Sequence, residues 1–382
     1  MACRSFVPAF VCGLVIAGVC FPASARESSQ AGEQVTLDAV LAAYMSGDTG
    51  VVARTFATSL DFQALRLGDP RLLDRWLGGW HRGKAAMLLE LANGSTLVAP
   101  QYIRPLVGAG RRYLLASRAT RTPDRSDEAV ARLWHRVAVG LLQRRGTPSM
   151  IDEYLEDLHV QPGSGAADDP IDARFVLARA IAQERRCWDV RPTLERPGAD
   201  VRDLARASGV ALRNPGGPGR SALAAEAERW RTCLGEAVAR FETAAAAAET
   251  QAEARVRGGW MLFQQDDPQQ ALQWLDAVEP GDDRDVAYWA ALFRGRVLDA
   301  LGRHQAAAEA YRAALAVCPN AQSAGVGLAL ALFRIDRVDE ADALARSLRV
   351  HTAAAADPWW IYAGADQRFV DRWIAELRAA VR

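Results

Sequence analysis

The sequence YWAALFRGRVLDALGRHQAAAEAYRAALAVCPNA, residues 288–321, decides the fold of this chain. Its apolar residues recur every three or four positions on both sides of Gly302-Arg303-His304, which is the spacing of an amphipathic helix. Small residues, including Gly295, Ala307 and Ala314, stand where two packed helices approach closely. The stretch therefore predicts two antiparallel helices joined by a tight turn.

Two further copies of this hairpin pattern flank the central one. Ala341 follows Ala307 by 34 residues, and Ala271 precedes it by 36. The central copy matches the tetratricopeptide-repeat signature at the small, large and proline positions that the signature specifies, namely Gly295, Leu298, Ala307, Tyr311, Ala314 and Pro319. It departs from the signature where Ala291 replaces the Trp and Arg294 replaces a Leu. The chain over 252–350 thus resembles a tetratricopeptide-repeat protein.

This resemblance and the helical period elsewhere predict an all-α chain, an α-solenoid of antiparallel helical hairpins that is tetratricopeptide-like in its C-terminal half. No alternating β-pattern of any length appears. We predict a signal peptide at 1–25, a helical-hairpin region at 36–188, an irregular linker at 189–220, a long helix plus repeats at 221–350, and a C-terminal cap at 351–382.

The C-terminal cap is expected because a stacked array needs a terminal element to cover its last hydrophobic face. Trp360, Trp373 and Leu377 are the residues predicted to pack on a helix at Val338–Arg349. At the other end of the chain, Gly47 stands five residues before Val52, as Gly302 does before Ala307. We therefore predict a divergent hairpin near residues 36–56.

The composition argues against two classes of partner. Lysine and arginine together number 46, and aspartate and glutamate also number 46. This balance gives no field that would attract nucleic acid or an anionic membrane surface. No stretch beyond the N-terminal run reaches membrane length without charges, so we expect no membrane span in the mature chain.

The N-terminal residues have the pattern of an export signal. Arg4 precedes an apolar run at Phe6–Cys20, and Ala23-Ser24-Ala25 provides a cleavage site. We therefore predict a soluble exported protein, periplasmic or secreted and bacterial, that starts at Arg26. Three cysteines would remain, and Cys187 with Cys233 is the pair considered for a disulfide.

The sequence contains none of the catalytic or metal-binding motifs that were sought. There is no His-Glu-x-x-His, no paired Cys-x-x-Cys, no phosphate-binding glycine loop and no Gly-x-Ser-x-Gly. The five histidines are scattered along the chain. We accordingly predict no catalytic residues, no metal and no cofactor.

The resemblance implies that the first helix of each repeat lines a concave groove that binds a protein or peptide. Carried over residue by residue, the candidate lining is Trp260, Phe263 and Gln264, then Trp289, Leu292, Arg296 and Asp299, and finally Val326, Leu330, Phe333 and Arg334. The alternative is that the apolar members are core, covered by neighbouring repeats or by the cap. The lining lacks the lysine and asparagine set that holds a peptide carboxylate in some family members.

Three functions follow as hypotheses. The first is an exported scaffold that binds a partner protein or peptide through the concave face of the repeats. The second is a structural subunit of a cell-envelope complex, and the third is an enzyme of unknown type. An exposed groove favours the first, a large apolar patch elsewhere favours the second, and a buried cluster of titratable groups in a cleft favours the third.

Overall fold

A computed structural model describes residues 37–48, 86–87, 89, 125–145, 147–157, 170–191, 218–279, 281–350 and 357–381. Its helices are α1 (Leu37–Ser46), α2 (Arg125–Arg145), α3 (Pro148–Asp157), α4 (Pro170–Asp189), α5 (Pro218–Ala244), α6 (Ala248–Gln264), α7 (Pro268–Asp276), α8 (Arg284–Ala300), α9 (His304–Val317), α10 (Gln322–Arg334), α11 (Val338–Val350), a 3₁₀ segment (Pro358–Phe369) and α12 (Val370–Val381). These residues contain no strand. The all-α prediction is confirmed.

The helices from α6 to α11 pack against their neighbours in sequence order, as three consecutive hairpins. Each hairpin turns through a residue with positive φ at the same position: Asp266 (68°), Gly302 (72°) and Asp336 (61°). The following N–H then donates to a carbonyl five residues earlier, from Asp267 to Leu262, from Arg303 to Leu298 and from Arg337 to Leu332. This hydrogen bond satisfies a carbonyl at the end of each first helix. The arrangement is compatible with a helical repeat.

The end of α1 has the same turn. Gly47 has a φ of 97°, and the Asp48 N–H donates to Ala43 O at 2.9 Å. The first half of the predicted divergent hairpin is therefore present. Its second run, residues 51–56, lies outside the described residues, as do the predicted signal peptide and most of the linker at 189–220.

Tyr311 explains why two glycines occur in the repeat helices. A Cβ at Gly295 in α8 would lie 2.7 Å from its ring, and one at Gly327 in α10 would lie 2.5 Å from it. The Tyr311 ring, which α9 carries, thus fits between α8 and α10 because Gly295 and Gly327 lack a side chain. Gly295, one of the small residues noted in the sequence, has this role.

The long helix predicted to precede the repeats from residue 221 is α5, which ends at Ala244, and the chain turns before α6 begins at Ala248. The two helices pack on each other, and Thr250 Oγ1 donates to Ala244 O at 2.6 Å. Alanine-rich composition favours helix only weakly compared with tertiary packing. Burial of one face of each helix therefore decides where the chain turns.

The predicted docking of the cap is wrong. Trp373 and Leu377 are buried in a core shared with α2, and α12 packs on α2 rather than on α11. Trp360 is 64% exposed. In the part of the chain that the structure describes, α11 packs mainly on α10, and its other face carries the exposed residues Asp339, Glu340, Asp342 and Arg346. A polar face of this kind is what a terminal repeat presents to solvent.

The C-terminal residues join two cores. One core runs from α4 through the repeats and includes Tyr362 of the 3₁₀ segment, and the other contains residues of α1 to α4 together with α12. Helix α4 contributes to both cores, and a disulfide between Cys187 and Cys233 ties it to α5. Packing therefore crosses the position of the predicted linker.

Candidate functional site

The first helices of the three hairpins, α6, α8 and α10, lie side by side, and the surface that they form is called the groove here. The 3₁₀ segment of the same chain partly fills this groove. Trp289 is fully buried, and its Nε1 donates to Pro358 O at 2.8 Å. The Tyr362 ring packs edge-on against Trp289, with centroids 5.2 Å apart. Residues 358–362 thus occupy the surface that the sequence assigns to a partner.

The entry of this segment into the groove is fixed by Asp357, which is buried. Its carboxylate accepts hydrogen bonds from Tyr288 Oη at 2.8 Å, from Ser323 N at 2.7 Å and from Trp359 N at 2.9 Å. Ser323 lies in the first turn of α10, where free N–H groups and the helix dipole favour an anion. Burial, followed by the nearby Asp357 carboxylate, raises the pKa of Tyr288.

A layer of aromatic rings surrounds the segment. Trp260 stacks on Phe293 with centroids 4.5 Å apart, and Trp359 meets both of them edge-on at 6.0 and 5.8 Å. Phe263 lies 5.4 Å from Trp260 on the same layer. These rings form a continuous apolar contact between two repeats and the C-terminal segment, so they are core.

Arg296 is held within the same layer. Its guanidinium carbon lies 5.3 Å from the centroid of Trp260 and 5.0 Å from that of Trp359. Burial lowers its pKa, and attraction to the two ring faces offsets part of that cost. Arg296 therefore contacts the chain's own aromatic residues instead of presenting a free cation to a ligand.

A buried network of charges lies beneath the segment, and the sequence analysis missed it. Arg257 donates to Glu184 Oε2, to Glu253 Oε1 and to Tyr362 O, each at 2.9 Å. Arg368 donates to Glu253 Oε2 at 2.6 Å. Only the Glu253–Arg257 spacing of four residues is visible as a helical pair in the sequence.

The same network continues toward the second core and the start of α8. Arg368 also donates to Asp283 Oδ2 at 2.9 Å, and Arg174 donates to Asp366 Oδ1 at 3.0 Å. Within this network the buried carboxylates of Glu184, Glu253 and Asp366 each have an arginine partner. The network connects α4, α6, α8 and the C-terminal segment.

The pKa shifts in this network have opposite directions. Burial opposes ionisation of Glu253, but Arg368 and Arg257 outweigh it and hold the pKa of this carboxyl well below its ordinary value. For Glu184, burial outweighs the attraction of Arg257, and its pKa is raised. Burial likewise raises the pKa of Asp366 in spite of Arg174.

One part of the groove stays open. On α10, Val326 is 51% exposed, Leu330 is 42% exposed and Phe333 is 63% exposed. Their spacing of four and three residues places them on one face of the helix. An exposed surface of three large apolar side chains is unusual for a face without a partner.

The polar residues at this end of the groove pair with each other. The Asp299 carboxylate accepts from Arg334 and from His304 Nδ1, the latter at 2.8 Å. Arg334 is exposed and Asp299 is half-buried. The pair forms a polar edge beside the apolar face of α10.

The predicted lining therefore divides into two groups. The structure buries or half-buries the members from α6 and α8 under the C-terminal segment or within the same layer, and it leaves those from α10 exposed. The covered group comprises Trp260, Phe263, Trp289, Leu292 and Arg296, and the accessible group comprises Leu330, Phe333 and Arg334 with Asp299 at the edge.

Among the described residues, no group of three or more His, Cys, Asp or Glu side chains has the arrangement of a metal site. No helix in this part of the chain combines the length and apolar character needed to cross a membrane. Comparison of the sequence with known proteins finds no matching family model and no significant match among curated proteins.

Proposed function

We propose that this protein is an exported bacterial scaffold that binds a partner protein through the exposed apolar face of α10. The observation that carries the proposal is the exposure of Val326, Leu330 and Phe333 on a single helical face. Burying a side chain of this size contributes about 1.5–3 kcal/mol. Asp299 and Arg334 would form the polar rim that interfaces place around an apolar centre.

We also propose that α6–α11 are tetratricopeptide-like repeats. The support is the recurrence of one turn at Asp266, Gly302 and Asp336, at intervals of 36 and 34 residues. The close approach of Gly295 to Tyr311 is consistent with the signature. In such an array the first helices line the concave side, and α10 is the first helix of the last pair.

Export is proposed from Arg4, the apolar run and the Ala23-Ser24-Ala25 site. The Cys187–Cys233 disulfide supports it, because disulfides persist mainly in oxidising compartments. N-terminal sequencing of the natural protein should start at Arg26. A soluble protein that retains Met1 in the cytoplasm would contradict the proposal.

The partner-binding proposal is tested by photocrosslinking in the native cell. A photoreactive phenylalanine analogue replaces Phe333 in one variant and Glu340, an exposed residue of α11, in a matched control. We expect a discrete protein adduct from position 333 and none from position 340. Equal labelling at both positions, or none at either, would show that α10 is not the binding face.

Once the partner is identified, Phe333→Ser and Leu330→Ser should each weaken binding by roughly tenfold or more, with little dependence on salt. Arg334→Ala should have a smaller effect, because the Arg334 side chain is exposed to solvent. If Arg334→Ala dominates and binding falls steeply with salt, the site is electrostatic and the proposal is wrong.

A second candidate function is a permanent subunit of a cell-envelope complex. It is favoured by Trp360 and Ile361, which are 64% and 43% exposed on a different element from the α10 face. A permanent subunit would purify from the envelope only in a fixed stoichiometry with its partners. A scaffold that binds reversibly would also be recovered as a stable free protein.

The buried charges bear on the third hypothesis, an enzyme. Glu184, Glu253 and Asp366 are each paired with an arginine. Such pairing favours a role in holding the C-terminal segment in place over a catalytic one.

A further inference from the structure

A cavity of about 410 Å³ lies where the 3₁₀ segment crosses α4. Its size is within the usual range for small-molecule sites, roughly 300–1,000 Å³. It is separate from the α10 face, so an inference about it does not rest on the proposed protein partner. The cavity is lined by residues of α4, by Pro148, by Arg257 and by the start of the 3₁₀ segment.

Four of the residues that line the cavity are aromatic. Trp188 comes from α4, and Trp359, Trp360 and Tyr362 come from the 3₁₀ segment. Trp359 and Tyr362 stack with their rings 22° apart in orientation. Trp360 differs from them because it is 64% exposed and belongs to neither core. An indole that stabilises no core is available to contact a ligand.

The polar groups of the lining balance in charge. Glu184 and Asp189 are acidic, and Arg185 and Arg257 are basic. A ligand with a net charge would leave one sign uncompensated in a partly desolvated site, which is costly. Glu184 and Arg257 already pair with each other, and Asp189 and Arg185 are of opposite sign, so the lining presents no net charge and fits an uncharged ligand.

Hydroxyl groups suit this lining, because each one both donates and accepts. Carboxylates such as Asp189 only accept, and guanidinium groups such as Arg185 only donate. A ring with hydroxyls on its edge and C–H bonds on its face would also cover the aromatic walls. We propose that the cavity binds an uncharged sugar, with one face of a pyranose ring against Trp360.

The proposal is tested by isothermal titration calorimetry on the full mature chain. The probes are glucose, N-acetylglucosamine, maltose and cellobiose, and adenine and choline are comparison ligands for a flat heteroaromatic ring and an organic cation. We expect at least one of the sugars to bind with a Kd of about 10 mM or tighter. Trp360→Ala should weaken that binding by roughly tenfold or more.

The matched control is Ile361→Ala, because Ile361 is the exposed neighbour of Trp360 and does not line the cavity. Both variants should keep the urea unfolding midpoint of the parent chain, and Ile361→Ala should keep its sugar affinity. Three outcomes would overturn the proposal: no sugar binds, Trp360→Ala leaves sugar binding unchanged, or only adenine or choline binds.

Discussion

Arg257 is the buried residue through which three segments of the chain are connected. It is 1% exposed and contacts Glu184 of α4, Glu253 of α6 and the Tyr362 carbonyl. Two of these contacts are ion pairs in a region from which water is excluded. Removing one partner from such a pair leaves an uncompensated buried charge, which costs far more than loss of a surface pair.

Arg257→Met is therefore expected to lower the free energy of unfolding by about 3–5 kcal/mol, because Glu184 and Glu253 lose their shared partner. Urea denaturation followed by circular dichroism measures the change. The matched control is Arg346→Met, which removes an exposed pair with Asp342 on α11 and should leave stability almost unchanged. A comparable loss in both variants would contradict the buried network.

Glu253 leads to a prediction about pH. Its pKa is held below the ordinary value in the folded protein, and the unfolded value is about 4.3. A depressed folded pKa gives stability that is present above the unfolded pKa and is lost as the pH falls toward the folded one. The stability difference between the wild type and Glu253→Gln should thus be largest near neutral pH and shrink below about pH 4.

Urea titrations of both proteins between neutral pH and about pH 3 measure this difference. Glu184 and Asp366 are present in both proteins, and because the Glu253 charge contributes to the upward shift of their pKa values, the difference also includes its effect on these two carboxyls. Glu376→Gln on the exposed face of α12 is the control, because its pair with Arg372 is exposed and contributes little at any pH. A difference for Glu253→Gln that is constant or grows as the pH falls would contradict the assignment.

The packing of α12 on α2 can be tested at Gly140. A Cβ added there would lie 2.5 Å from Val370 Cγ2 and 3.3 Å from the Asp366 carbonyl oxygen. Gly140→Ala should therefore destabilise the protein by about 1–3 kcal/mol through overpacking. Urea denaturation gives the value.

Gly235 of α5 is the matched control, because it is also a helical glycine but is near only the flexible end of Gln265. Gly235→Ala should raise stability by up to about 1 kcal/mol through helix propensity. If both substitutions are stabilising, α12 does not lie on α2.

Helices with local signals were predictable from the sequence. In α2 the apolar residues recur at helical spacing, and Thr147-Pro148 has the pattern of a capping residue followed by proline that begins a helix. Helix α3 begins there, and Thr147 Oγ1 accepts from the Met150 N–H at 3.4 Å. Both signals lie within one turn of the residues that they affect. The turns at Gly47 and Gly302 were visible for the same reason.

The destination of the C-terminal segment was not predictable in this way. Its apolar residues indicate burial but do not indicate against which surface, and Trp373 suits the end of an array as well as it suits α2. The buried charge network was not predictable either, because its partners are far apart in the sequence. Glu184 is 73 residues from Arg257, and Arg368 is 115 residues from Glu253. Helical period places Val326, Leu330 and Phe333 on one face of α10, but it does not distinguish an exposed apolar face from a covered one, and binding at this face stays a prediction.

At the scale of the whole molecule, the C-terminal segment is part of both cores, so its removal should have a global effect. A chain that ends at Val350 would expose the faces of Trp289 and Phe293 and leave Arg257 without the Tyr362 carbonyl. We expect it to lose cooperative thermal unfolding and to bind the dye ANS, as proteins without fixed packing do.

A synthetic peptide of residues 351–382, added to the truncated chain, should restore part of the cooperative transition because the contacts are non-covalent. The control peptide carries Trp359→Ala and Tyr362→Ala, which remove the rings that enter the groove. A truncated chain that unfolds at the temperature of the full protein would show that the segment only covers the surface.

The contact between Gly140 and Val370 also has a consequence for the order of folding. These residues are 370 − 140 = 230 positions apart, whereas helical repeats contact mainly their neighbours and can fold locally. Closure of so long a loop delays the formation of the second core, because the entropic cost precedes the gain. The repeats can assemble soon after they are synthesised, whereas α2 gains its contacts with α12 only after the long intervening stretch of chain has been made.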